Sequence, residues 1–172
     1  MEESKAPTNP ARLPVELAGH ALVWGQAVAL QAERVRNAAT VAGRHIDGYF
    51  LVLAIRQVLR SAEAMDRAIG GDAGLRNAQT RFLAEHPQAQ KMRDVLSHFD
   101  EYEAGKGKLQ RSGEVGALNV WLGVGEDSVT VALASNLTVE LSAASSAALA
   151  LADATLSAKD RFLTRFRRQL GD

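Results

Sequence analysis

The sequence predicts a mainly α protein, a bundle of four to five helices with a β-hairpin inserted before the last one. Three observations carry that expectation. Apolar residues recur at three- and four-residue steps over most of the chain. Between Leu118 and Leu133 the period falls to two, and after Ser142 helical spacing returns.

Met1 to about Arg12, with Pro7, Asn9 and Pro10, reads as a flexible tail, and residues 13–172 as one domain. Pro14 suits the start of a first helix reaching about Ala42, with Leu17, Ala21, Trp24, Val28, Gln31, Val35 and Ala38 on one face and Gly43 as its cap. A second helix, about Ile46 to Ile69, carries Leu51, Ile55, Val58, Ala62, Met65 and Ile69 as its stripe and stops at Gly70-Gly71. Asp72 is an expected N-cap for a shorter third helix that ends before Pro87, because a residue preceding proline disfavours the helical region. The fourth helix is expected over about Gln88–Glu103, packing Met92, Val95, Leu96 and Phe99, with Gly105 and Gly107 after it.

Leu118, Val120, Leu122 and Val124 then alternate with Asn119, Trp121 and Gly123; Gly125-Glu126-Asp127 turns the chain; and Val129, Val131 and Leu133 alternate again. That is a hairpin at about 117–134, with Leu137–Leu141 as a candidate third strand. From Ser142 the chain is Ala-rich and helical, with Leu149, Ala152, Leu156, Leu163, Phe166 and Leu170 on one face.

Twenty basic residues balance twenty acidic ones, so only a local patch could draw in nucleic acid or an anionic membrane. There is no cysteine, which removes disulfides, thiol chemistry and Cys-based zinc sites. The charged start is no secretory signal, and no aliphatic stretch approaches the roughly 20 residues of a spanning helix, so a cytoplasmic chain without a membrane partner is expected. His-x-x-x-His and Glu-x-x-His pairs are absent, and neither a metal nor a cofactor is expected.

Of four histidines, His20, His45 and His86 read as boundary or helix-end residues. His98 stands apart. Asp94 precedes it by four residues, the spacing at which a carboxylate on the same helical face accepts an imidazole N–H and fixes the tautomer. Arg93 supplies a guanidinium able to fork onto a phosphate, and an imidazole that titrates near neutrality can act as general acid or base. These groups suffice for cleaving RNA without metal, with the ribose 2′-hydroxyl as nucleophile.

Arg93, a polar residue, three more residues and His98 resemble the R-x4–6-H motif of the HEPN superfamily. The resemblance implies an all-helical bundle that dimerises into a composite, metal-independent endoribonuclease site of the kind used in toxin–antitoxin systems and phage defence. Arg93 would bind the scissile phosphate, His98 would move the proton, and Asp94 would orient His98. The hairpin departs from that bundle, and the residue two after the histidine is Asp100, with the tyrosine at Tyr102. Arg81 to His86 has the same spacing, with Phe82 after the arginine. On a continuous helix Arg93 and His98 lie about 140° apart, so a homodimer pairing the motif helices would be needed to join them.

Arg56, set among Ile55, Val58 and Leu59, and Lys91, two residues before the motif, are the candidate RNA-backbone contacts. Arg161, Arg165 and Arg168 at the chain end suit either a helix C-terminus or an anionic partner. Two other readings stay open. One is a non-enzymatic helical protein that oligomerises or binds a partner protein, with the hairpin edge and Trp121 as candidate surface. The other is a small-molecule-binding bundle with Arg56 facing an anionic ligand.

Overall fold

The computed structural model describes residues 10–124 and 128–171; the expected tail residues Met1–Asn9 and the turn Gly125-Glu126-Asp127 lie outside them. Within those bounds the chain is mainly helical, with a three-stranded sheet before the last helix. The elements are α1 (Arg12–Asn37), α2 (Val41–Ala68), α3 (Ala73–Glu85), α4 (Pro87–Ser97), two short helices α5 (Phe99–Glu103) and α6 (Lys108–Arg111), β1 (Leu118–Val124), β2 (Val129–Ala134), β3 (Leu137–Glu140) and α7 (Leu141–Leu170).

The core is built by α1, α2 and α7. On α1 the buried positions are Pro14, Ala18, Ala21, Gly25, Val28, Ala32 and Val35, alternating steps of four and three as in a coiled-coil seam. The expected face is therefore rotated. Trp24 stands at the surface, and Leu17 and Gln31 sit at the edge. The inward positions are mostly small, and small residues let backbones close up. A Cβ on Gly25 would lie 3.2 Å from Ala152 Cβ on α7. On α7 the buried positions include Leu141, Ala148, Leu151, Ala152, Thr155 and Ala158, while Leu149, expected in the core, is exposed.

The α1–α2 break comes earlier than Gly43. Thr40 is extended, and its hydroxyl accepts Gly43 N–H at 3.0 Å, which caps a helix that begins at Val41. The third helix starts as expected, Asp72 accepting Leu75 N–H at 2.9 Å. The fourth does not run to Glu103. His98 leaves the helical region at φ −128°, ψ 38°, and Asp100 and Glu101 favour a new N-terminus just beyond it.

The sheet order is β1-β2-β3, all antiparallel, with Leu122 opposite Val131 and Val131 opposite Val139. Val129, Val131, Leu133, Leu137 and Val139 are buried. The expected third strand thus forms, and Glu140 at its end caps α7, accepting Ser142 N–H at 2.8 Å and Ala143 N–H at 2.6 Å. By length and composition α7 could cross a bilayer, although 44% of its most apolar window is buried in the bundle.

Candidate functional sites

The motif residues lie at the outer end of α4 and in the break that follows it. Arg93 Nη1 donates to Asp94 Oδ1 at 2.8 Å. Asp94 therefore pairs with the preceding arginine. His98 faces Glu101 instead, Nδ1 to Oε1 3.6 Å, and its side chain is 57% exposed. Among the described residues no hydrogen bond or ion pair joins Arg93 to His98. The break at His98 is the local cause, since it places the imidazole beyond the helix that carries the arginine.

Arg56 and Lys91 are each held by a carboxylate. Arg56, largely buried on α2, reaches Glu63 at 3.3 Å. Lys91 Nζ reaches Glu114 at 3.0 Å. Lys91, together with Ser112, holds the Glu114 carboxyl below its ordinary value. Neither cation is linked to Arg93 or His98 by a hydrogen bond or ion pair among the described residues. Of the three spaced arginines on α7, Arg161 is structural, forking onto Asp72 at 2.6 and 3.0 Å, whereas Arg165 and Arg168 reach solvent.

The second arginine–histidine pair falls on a groove of about 610 Å³ between α3 and α7, floored by Ala78, Phe82, Ala147 and Leu151. The His86 ring packs on Phe82 with centroids 5.5 Å apart. Arg81 is turned to Glu85, 2.9 Å away on the exposed side. Trp121, on the edge strand β1, is exposed, and its ring covers Gly123, where a Cβ would lie 2.5 Å from it.

A further feature, on α1, carries none of the candidate site residues that the sequence singles out. The outward side of α1 exposes Val15, Leu22, Val23 and Leu30 at 47–58% of their surface. Beside it, Leu22, Gly25 and Ala29 with Leu149, Ala152 and Leu156 of α7 line an apolar cleft, and Ala29 and Leu149 also line its continuation towards Arg36 and Ser142. The signal was present in the sequence: from Leu17 to Ala32 α1 has no Asp, Glu, Lys or Arg. A helix apolar on all sides belongs in an interior, yet α1 packs only one side, against α2 and α7.

Comparison with known proteins adds nothing to these sites: no protein-family model, no curated protein and no solved structure significantly matches the chain.

Proposed function

We propose that this chain is a helical association protein, working by docking through the outer face of α1. The observation that carries the reading is the mismatch between α1's composition and its place: sixteen residues without a formal charge, Leu17–Ala32, run along the edge of the bundle with large aliphatic side chains in water. An apolar patch of this kind on a protein surface is often an interaction site. Among the partner-binding readings, α1 is preferred to the hairpin edge, where Trp121 is the one large apolar side chain exposed among the described residues, beside a largely buried β2.

The test is the native size of the tagged chain in extracts of its own cells. Wild type, Arg93→Ala and His98→Ala should all elute well above the 18.4 kDa of one chain, and a Leu22→Glu/Leu30→Glu double variant should elute as a monomer. An unchanged elution of the double variant refutes the reading.

A HEPN-like, metal-independent endoribonuclease is the second reading. It is supported by Arg93 and His98 each remaining accessible beside a carboxylate, outside the packed core, as a site completed by another protomer requires. It predicts RNA cleavage that persists in chelator and disappears in both Arg93→Ala and His98→Ala. Cleavage retained by both variants sinks it.

A further inference from the structure

Resting on the association reading, we infer that the occupant of the α1 face is α1 of a second copy of this chain, laid antiparallel about a twofold axis near Trp24–Gly25. Three observations point to this partner.

The first is a second seam. Val15, Gly19, Leu22, Gln26, Ala29 and Glu33 repeat the four–three spacing of the buried seam, one position further on, and all are exposed. A helix that carries two such seams is suited to pack on both sides. The outer seam extends about 27 Å along the helix.

The second is Gly19. It lies in mid-helix with ordinary backbone angles, where glycine costs stability, and a Cβ there would meet nothing within 4 Å. Among the described residues no contact requires its smallness. A partner side chain does: with the axis between Trp24 and Gly25, Leu30 of the second copy falls opposite Gly19. Knob and hole thus come from the same surface, as an isologous interface demands.

The third is area. About half of each of Val15, Leu22, Val23 and Leu30, with part of Leu149, is open to water. That is on the order of 500 Å² of large aliphatic surface per copy; with the adjoining Gln26, Ala29 and Leu156 it approaches the roughly 800 Å² per partner of a stable interface.

The chain contains no cysteine, so single cysteines report the register directly. The full chain at tens of micromolar should sediment at twice the monomer mass. Leu22→Glu/Leu30→Glu should weaken dimerisation at least about 100-fold with an unchanged far-ultraviolet circular dichroism spectrum. Gln26→Cys, its two copies about 5 Å apart along the axis, should oxidise to a self-linked dimer. Gly19→Cys, about 16 Å from its mate, should stay unlinked alone and join Leu30→Cys when the two are mixed.

Self-linking of Gly19→Cys marks a parallel pair and overturns the inference, as does a wild-type dimer that survives the double glutamate change. A wild-type monomer at that concentration also overturns it. If that monomer still elutes high in native extract and the double variant does not, the occupant is another protein and only the association reading survives. If the monomer floats with phosphatidylglycerol-containing vesicles and the double variant does not, the occupant is a bilayer. If neither is seen, both readings fall.

Discussion

Asp72→Asn measures how much stability resides in the contact that ties the start of α3 to the far part of α7. Asp72 is buried, caps α3 through Leu75 N–H, and accepts bonds from Arg161 Nη2 at 2.6 Å and Nε at 3.0 Å. Those arginine bonds, opposed by burial and helped by the Leu75 amide, lower its carboxyl from 3.8 to about 2. Because the folded value is depressed, the stabilisation is fully present above pH 3.8 and is lost as pH falls through about 2. Linkage makes such a shift worth about 2 kcal/mol at neutral pH, roughly half of that at pH 3, and a few tenths near pH 2. Arg161's side chain is 48% exposed, so screening reduces the pair to about 1–2 kcal/mol. Asparagine keeps the N-cap, so the substitution isolates the charge. Urea unfolding at pH 7 should show the variant weaker by about 1–2 kcal/mol with an unchanged m-value, and the gap should narrow towards pH 3. A gap that stays constant down to pH 3 would refute the electrostatic account, and no gap at pH 7 would refute the contact itself.

Other perturbations probe single contacts. Tyr102 is buried and its hydroxyl accepts Leu109 N–H at 3.2 Å. Tyr102→Phe strands that amide and should cost about 1–2 kcal/mol in urea unfolding; an unchanged midpoint would show that water or another acceptor replaces the hydroxyl. Gly25→Val adds three carbons where the first would already lie 3.2 Å from Ala152 Cβ, so melting should show a loss of about 1–3 kcal/mol from overpacking. Arg93→Ala and His98→Ala, both outside the core, should leave stability within about 0.5 kcal/mol. Any loss of RNA cleavage in them then reports on chemistry and not on folding.

Much of the fold is legible where a residue's backbone chemistry leaves little choice. Gly70 and Gly71 adopt positive φ and end α2, Asp72 caps α3, Pro87 opens α4, and the period-two run pairs as β1 and β2. On α2 five of the six expected stripe residues, Leu51 to Met65, are buried, and Ile69 at the C-cap is half-buried, because the opposite side of that helix carries Arg60 and Arg67 and the stripe has a direction. On α1 it has none. With apolar residues all round, the inward face is decided by how closely α2 and α7 can approach, and small residues such as Ala18, Gly25 and Ala32 win over Leu17, Trp24 and Gln31. Likewise, the Asp94–His98 spacing assumes an unbroken helix, whereas the structure breaks it at His98 and leaves Asp94 to Arg93. The Asp72–Arg161 clamp spans 89 residues, beyond any local pattern.

Gly19 offers a prediction in which folding and association separate in sign. In the isolated chain its position is helical and exposed, with no described residue within 4 Å of an added Cβ. Alanine there removes backbone freedom from the unfolded state and adds no clash, which should stabilise a monomer by about 0.5–1 kcal/mol, or about 1–4 °C in melting temperature. If Leu30 of a second copy occupies the space above Gly19, the added methyl holds the two helices apart and weakens the dimer. Gly19→Ala should therefore melt higher than wild type when both are placed in the Leu22→Glu/Leu30→Glu background, where association is removed. In the native background it should raise the dissociation constant measured by sedimentation. Stabilisation in both backgrounds with an unchanged dissociation constant would mean that nothing packs on Gly19. Destabilisation in the glutamate background would mean that the monomer itself needs the glycine, which would contradict the open space above it.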